Sequence, residues 1–246
     1  MSRYFQIDYE LSPGQALERI AAQCRTSPAR YVCVADGNVL VQVHRDPDYR
    51  RIVQGALFSI CDSSWVPLYL KRLYGFKPRQ YSGSDIFRDI TGAKRYRMAF
   101  LGASQEVLDA LRTQLSEVDP QIGGMLFKAL PYADADAFDY AAIAEAVNAD
   151  DPDIIWVALG APKQERFAAR LAPLLKRGVI IPVGAVFNFR SGLGIRRAPE
   201  WMVKCHLEFL YRIFSEPRKQ LRRVWQILRW TPAILRKEKR GKSRQG

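Results

Sequence analysis

Short runs of apolar, mostly β-branched residues alternate along the chain with longer segments that have the apolar spacing of helices. The runs predict strands over residues 31–35, 57–61, 96–102, 154–160 and 179–184. The longer segments predict helices over residues 39–56, 64–74, 104–115, 136–149 and 162–176. Strand–helix alternation at this spacing indicates an α/β fold, with a Rossmann-like, mainly parallel sheet and helices on both faces. Ligands of such sheets bind beyond the carboxyl ends of the strands.

The last fifth of the chain differs from the rest, and we place a domain boundary before it. Residues 1–197 are predicted to form the α/β domain, and residues 198–246 a basic helical appendage. Within the appendage, residues 201–214 are apolar on almost every side and predict a packed helix. A second helix is predicted to begin at Pro217, and residues 236–246 are expected to form a disordered basic tail.

The second helix of the appendage is amphipathic and basic. Its apolar face carries Leu221, Val224, Trp225 and Leu228, and basic residues flank that face. The whole chain has a formal net charge of +13, of which +11 falls within residues 196–246, where 15 Lys or Arg stand against 4 Asp or Glu. Such a helix is suited to lying on an anionic membrane surface. The alternative is an ordinary surface helix that docks through its apolar face.

Composition argues against several classes of protein. No stretch reaches about 18 consecutive apolar residues, so no transmembrane helix is predicted, and residues 1–12 lack the pattern of a signal peptide. The 4 cysteines are widely spaced, which indicates buried reduced thiols rather than a zinc site. An NAD-dependent oxidoreductase would explain the α/β alternation, but no Gly-x-Gly-x-x-Gly follows a predicted strand.

The most specific local pattern is Gly-Ala-Pro-Lys-Gln-Glu at residues 160–165, directly after a predicted strand. Gly160 allows a tight turn, and the proline suits the start of a helix. The free amides at that helix start favour an anion, and Lys163 and Gln164 can add contacts to phosphate or sugar. The alternative is a well-capped helix without a ligand.

Two further segments follow the ends of predicted strands. Asp62 ends one strand and is a candidate general base, although the default use of an aspartate there is to cap the next helix. Residues 182–192 begin at the end of the last strand and contain Gly184 and Asn188. A fourth segment, Ser-Gly-Ser-Asp at residues 82–85, predicts a loop and a helix cap.

Together these segments resemble the WecG/TagA/CpsF glycosyltransferases over about residues 31–223. The resemblance lies in Gly-Ala-Pro-Lys-Gln-Glu, then Val-Gly-x-x-Phe-Asn-Phe-x-x-Gly from Val183, then Arg-Ala-Pro-x-Trp from Arg197. Leu-Glu-Phe-Leu-Tyr-Arg from Leu207 and Glu-Pro-Arg from Glu216 complete it. Each motif alone is weak, but their order makes coincidence a poor explanation.

The resemblance implies an inverting transfer from a UDP-sugar to a polyprenyl-diphosphate-linked saccharide, in bacterial cell-surface polysaccharide synthesis. The implied sugar is N-acetylmannosamine-type, its uronic acid, or glucose. No cofactor and no essential metal are implied, and the implied location is cytoplasmic, peripheral on the inner face of the cell membrane. The family's catalytic aspartate falls on Asp62. Its pyrophosphate-binding arginines fall on Arg212, Arg218 and Arg222.

Three positions depart from the family pattern. Where the family has Thr-x-Asn after its first strand, this chain has Asp36 and Asn38, either of which takes the place of the asparagine, while the threonine has no match. Where the family has Phe-Asp, this chain has Asn188, so no carboxylate is available there. Ser63 replaces the glycine that usually follows the catalytic aspartate. These changes bear on the donor sugar more than on the reaction.

A nucleic-acid-binding α/β protein is the rival interpretation, because it would explain the basic appendage. The appendage carries tryptophans on a helical stripe, however, and the rest of the chain is nearly neutral. We therefore expect an anionic membrane surface and no nucleic acid among the partners. The sequence leaves the oligomeric state open, a homo-oligomer included.

Overall fold

The computed structural model describes residues 1–193 and 217–242, with side chains from residue 221 onward in the second range. The strands in these ranges are β1 (Ser2–Tyr4), β2 (Ile7–Tyr9), β3 (Arg30–Tyr31), β4 (Cys33–Ala35), β5 (Ser59–Cys61), β6 (Met98–Gly102), β7 (Leu126–Lys128), β8 (Ile154–Ala158) and β9 (Val179–Pro182). The α-helices are α1 (Pro13–Gln23), α2 (Gly37–Arg45), α3 (Pro47–Gly55), α4 (Val66–Tyr74), α5 (Gly83–Gly92), α6 (Gln105–Val118), α7 (Tyr140–Asp150), α8 (Lys163–Leu171), α9 (Val186–Ser191) and α10 (Pro217–Lys242).

The strands form two sheets that one extended segment joins. The orders are β1-β2-β5-β4 and β3-β9-β8-β6-β7, and every pair except β1–β2 is parallel. Within the joining segment, the Val32 amide donates to Ile180 O of β9, whereas the next amide, that of Cys33, donates to Phe58 O beside β5. The predicted strand at residues 31–35 is therefore shared between two sheets.

Two layers of helices cover the two faces of the sheets. Alternate residues of a strand point to opposite faces, so Ile155 and Val157 of β8 enter one core while Ile154 and Trp156 enter the other. The first core packs against α2, α3, α4, α7, α8 and α10, and the second against α1, α5, α6 and α9. The predicted α/β class, with parallel strands between helical layers, is confirmed.

Asp46 and Pro47 divide the helix predicted over residues 39–56 into α2 and α3. The amide of Asp46 still closes α2, while its Oδ1 accepts from the amides of Asp48 and Tyr49 at the start of α3. Proline at the first position of α3 has no donor to lose there. The interpretation as a single helix was wrong, because this Asp-Pro pair is a stop and start signal.

The C-terminal helix α10 is longer than predicted. It begins at Pro217 as expected, but it runs through Pro232 to Lys242, so the predicted disorder of residues 236–242 is wrong. Proline has no amide for the helix ladder, and the neighbouring Thr231 hydroxyl donates to Ile227 O. The helix predicted over residues 201–214 and the domain boundary at 197/198 lie outside the described residues.

Packing on the α/β body accounts for the length of α10. Ile234 is buried in the first core, and Ile227 packs against Gly37 at the start of α2. Farther along, Glu238 accepts from the Tyr74 hydroxyl at 2.7 Å. Among the described residues, no helix is both long and apolar enough to cross a membrane.

Candidate functional site

A cleft of about 570 Å³ lies beyond the carboxyl ends of β4, β5, β8 and β9. Its lining includes six of the predicted site residues: Asp36, Asp62, Gly160, Lys163, Gln164 and Asn188. The volume is in the range of small-molecule sites. The predicted position of the site at this edge of the sheet thus agrees with the cavity.

Asp62 follows β5 directly and is half-buried at the cleft wall. Its Oδ1 accepts from the Gly83 amide at the first position of α5, at 2.8 Å. It does not cap the next helix, α4, whose N-cap is Trp65 without a side-chain hydrogen bond. The N-cap alternative for α4 is therefore wrong, and Asp62 instead joins the end of β5 to the start of α5.

The start of α5 is itself a complete capping box, as residues 82–85 predicted. The Ser82 hydroxyl oxygen accepts from the Asp85 amide, and Asp85 Oδ2 accepts from the Ser82 amide. The helix start is thus fixed by its own residues. Its Gly83 amide remains for Asp62, which gives that carboxylate a defined orientation.

Asp36 and Asn38, the two substitutes for the family's asparagine, have different surroundings. Asp36 lines the cleft and is the N-cap of α2, where its Oδ1 accepts from the amides of Asn38 and Val39 at 2.9 and 2.8 Å. Asn38 is only 7% exposed and does not line the cleft that the described residues form. Between the two, Asp36 is the better placed to meet a ligand.

The turn from β8 to α8 forms the opposite wall of the cleft. Gly160 adopts φ +76°, a conformation that favours glycine, and its amide donates to Gln164 Oε1 at 3.1 Å. Pro162 is the N-cap of α8 and makes no side-chain cap bond. The carboxamide of Gln164 thus bridges the turn, while the backbone amide of Gln164 donates to Gly160 O at 3.0 Å.

Lys163 connects the same turn to the loop after β7. Its Nζ donates to Ala133 O at 3.0 Å and lies 4.8 Å from the centre of the Tyr132 ring. Tyr132 is fully exposed and lines the cleft together with Asp134. This wall of the cleft therefore has the positive charge of Lys163 and, next to it, the aromatic ring of Tyr132.

Asp134 and Tyr132 were not predicted as site residues. The sequence Asp-Ala-Asp at residues 134–136 reads as a solvated acidic connector, and the structure instead brings Asp134 to the cleft. The contact that places this loop, Lys163 to Ala133, spans 30 residues. No local pattern in the sequence indicates such a contact.

The basic residues of the site differ in part from the prediction. Arg223 lines the cleft, whereas Arg222 is exposed and does not contribute to the described lining. Arg223 lies on the α10 face that also carries Ile227 and Ile234, at helical spacings of four and seven. Arg212 lies outside the described residues, as does the side chain of Arg218.

Glu165 lies beneath the cleft in the first turn of α8 and is fully buried. Its Oε1 accepts from Gln164 Nε2 at 2.9 Å, while Oε2 has no hydrogen-bond partner among the described residues. Burial raises the pKa of Glu165 to about 7, against the opposing effect of the Gln164 hydrogen bond. A carboxyl group of this kind was not predicted as a site residue, because the motif was interpreted through the residues that were expected to contact a ligand.

No three His, Cys, Asp or Glu side chains in the described part of the chain lie close enough together to hold a metal ion.

Asn188, the position without the family's carboxylate, is exposed at the cleft in α9. Cys24, Cys33 and Cys61 are buried free thiols, as predicted.

One protein family matches nearly the whole length of this chain. The family model described as glycosyl transferase WecG/TagA/CpsF family matches residues 4–244. The chain belongs to this family. As a family member it is a sugar-transferring enzyme, so the predicted resemblance and enzyme class are confirmed.

Two relatives of this chain carry the same enzyme name. The chain is 28% identical over 202 residues to the N-acetylglucosaminyldiphosphoundecaprenol N-acetyl-beta-D-mannosaminyltransferase of Bacillus subtilis (strain 168), covering 81% of this chain and 76% of that protein. It is 28% identical over 214 residues to the enzyme of that name from Bacillus spizizenii (strain ATCC 23059 / NRRL B-14472 / W23), covering 85% and 80%.

Proposed function

We propose that this glycosyltransferase moves an N-acetylmannosamine-type sugar from a UDP-sugar to a polyprenyl-diphosphate-linked N-acetylglucosamine, with inversion at the anomeric carbon. The names of its two relatives support this acceptor and this sugar. The uronic acid of that sugar and glucose are the other donors to be tested, because Asn188 replaces a family carboxylate in the cleft.

The observation that carries the proposal is the arrangement of the two cleft walls. Asp62, which follows β5 in one sheet, and Lys163 and Gln164, which follow β8 in the other, line the same cleft. The cleft therefore has a carboxylate from one sheet and amide and ammonium donors from the other, as transfer of a sugar from a diphosphate requires.

Asp62 is the proposed general base of this reaction. Its Oδ1 is held by the Gly83 amide, so the carboxyl group has a defined orientation at the cleft. In the proposed step it removes the proton from the acceptor hydroxyl as that oxygen attacks the anomeric carbon and the bond to UDP breaks. Attack from the face opposite UDP inverts the configuration.

The departing diphosphate gains negative charge, and the other wall supplies donors for it. Lys163, Gln164 and Arg223 all line the cleft, and their ammonium, side-chain amide and guanidinium groups are the proposed donors. Fixed donors aimed at developing charge lower the barrier of such a transfer. Arg212 and Arg218 are proposed to contribute as well, on the family pattern alone.

We also propose that the outer face of α10 rests on the anionic inner face of the cell membrane. The helix docks on the body through Ile227 and Ile234, yet it leaves Leu221, Trp225 and Leu228 exposed at 54%, 59% and 68%. These three residues recur at spacings of four and three, which puts them on one side of the helix. An apolar stripe on a basic helix suits a membrane interface, where the lipid-linked acceptor would be found.

Acceptor-dependent release of UDP tests the proposed function. Purified protein is mixed with polyprenyl-diphosphate-linked N-acetylglucosamine and, separately, with UDP-N-acetylmannosamine, its uronic acid and UDP-glucose. We expect release of UDP with the first donor only when acceptor is present, and a product whose anomeric configuration is opposite to that of the donor. If none of the three donors gives acceptor-dependent release, the proposal is wrong.

A further inference from the structure

Gln164 lines the cleft, and both the oxygen and the nitrogen of its side-chain carboxamide are hydrogen-bonded within the protein. Its Oε1 accepts from the Gly160 amide at 3.1 Å, and its Nε2 donates to Glu165 Oε1 at 2.9 Å. An amide group can be turned over at little cost unless its partners distinguish oxygen from nitrogen. Here one partner is a donor and the other an acceptor, so only one orientation satisfies both.

Glu165 is the part of this arrangement that the cleft chemistry does not explain. It is 0% exposed, so it cannot touch a ligand, and its Oε2 has no hydrogen-bond partner among the described residues. A buried carboxyl group with an unused oxygen costs stability, and an apolar side chain of similar size would avoid that cost. Its contact with Gln164 is therefore better explained by the site than by the stability of the fold.

We propose that Glu165 is a positioning residue, which holds the carboxamide of Gln164 so that its second N–H points to the diphosphate or sugar of the donor. This inference rests on the proposed function for the identity of the ligand. The orientation of Gln164 itself does not depend on that function. Glu165 acts only through Gln164 and makes no contact with substrate.

Three substitutions separate this role from a structural one. Glu165→Met removes the acceptor and keeps the length of an apolar chain in the core. Glu165→Gln keeps an oxygen that can accept from Gln164 Nε2. Tyr49→Phe is the matched control, because the Tyr49 hydroxyl is buried beside Glu165 and interacts with its carboxyl group, but it takes no part in the Gln164 bond.

Calorimetric titration with UDP and thermal unfolding are measured on each full-length variant. For Glu165→Met we expect UDP affinity to fall about fivefold, the effect of one hydrogen bond, without a lower melting temperature. Glu165→Gln should keep most of the affinity, and Tyr49→Phe should keep all of it. A second change, Gln164→Ala, should add nothing to Glu165→Met, because both remove the same contact. Unchanged affinity in Glu165→Met, or full additivity of the two changes, would overturn the proposal.

A ligand-free measurement distinguishes failure of this inference from failure of the proposed function. In NMR spectra of the protein without ligand, the side-chain amide protons of Gln164 should exchange slowly with water. They should exchange faster in Glu165→Met and remain slow in Tyr49→Phe. If UDP binds to no variant but this difference is found, the donor is wrong and the role of Glu165 stands. Equal exchange in the wild type and Glu165→Met refutes the positioning role whatever ligand binds.

Discussion

Replacing Asp62 by asparagine removes the proposed base and keeps an acceptor for the Gly83 amide. The side-chain oxygen of asparagine can still accept from the Gly83 amide, which Asp62 Oδ1 now does at 2.8 Å. Asp62→Ala would instead leave that amide without this acceptor, at a cost of about 1–3 kcal/mol, and would confuse stability with catalysis. The capping box of α5 is made by Ser82 and Asp85 alone, so asparagine should leave the helix start intact.

The expected loss is the contribution of general-base catalysis. A positioned base contributes about 10²–10⁴ in rate, which corresponds to roughly 2.7–5.4 kcal/mol of activation free energy. We therefore expect the kcat of Asp62→Asn to fall at least a hundredfold. UDP affinity should change little, because the proposed diphosphate donors are other residues of the cleft, Lys163, Gln164 and Arg223.

Release of UDP under saturating donor and acceptor measures kcat, and calorimetry measures UDP affinity. Asp134→Asn is the matched control, since it removes the same charge from the same cleft. Its loss of kcat should be much smaller than that of Asp62→Asn. Turnover of Asp62→Asn within tenfold of the wild type would exclude Asp62 as the base. Equal losses in the two variants would mean that the charge of the cleft, and not proton transfer, is what matters.

Three more predictions follow from other parts of the structure. Gln164→Ala should weaken UDP binding about fivefold, or roughly 1 kcal/mol, and unchanged affinity by calorimetry would mean that the turn is only structural. The contribution of Glu165 to the free energy of unfolding should fall as pH rises from 4.5 to about 7, because its raised pKa makes the folded state bind the proton more tightly. Denaturant titrations should show this loss, up to about 3 kcal/mol, in the wild type but not in Glu165→Gln. If the free energy of unfolding depends on pH equally in the two proteins, the raised pKa does not belong to Glu165. Serine at both Trp225 and Leu228 should reduce binding to anionic vesicles in high salt, whereas Leu174→Ser, a single change at an exposed leucine of the body, should not. Binding of the wild type to nucleic acid but not to vesicles, at matched salt, would refute the membrane proposal.

The central strands could be predicted because burial on both faces gives continuous apolar runs. β6, β8 and β9 are such strands, and the predicted boundaries of each differ from the observed ones by two residues or fewer. The hairpin of β1 and β2 was missed because its strands have three residues each and its turn lacks the usual signal. Phe5 and Gln6 adopt positive φ there, although neither is the glycine or asparagine that such turns favour.

The site was predictable where its residues immediately follow strands. Asp36, Asp62 and Gly160 come together because parallel strands end at one edge of a sheet. Contacts between distant segments were not predictable from one sequence. Asp134 reaches the cleft through the loop that Lys163 holds, and the choice of Arg223 over Arg222 depends on which side of α10 meets the body.

The segment at residues 30–35, which pairs with both sheets, also sets the order in which the protein can assemble during synthesis. Its second half can pair with β5 soon after both have left the ribosome, but the partner of its first half, β9, is made roughly 150 residues later. At about 5–20 residues per second, that interval lasts about 8–30 s. Until then, the amides of Arg30 and Val32 lack their native partners, Gly178 O just before β9 and Ile180 O within it, and such an unpaired strand edge can join another chain. The two walls of the cleft come together only after β9 has been made and has paired with this segment. Until then, the nascent chain has no complete site to bind its donor.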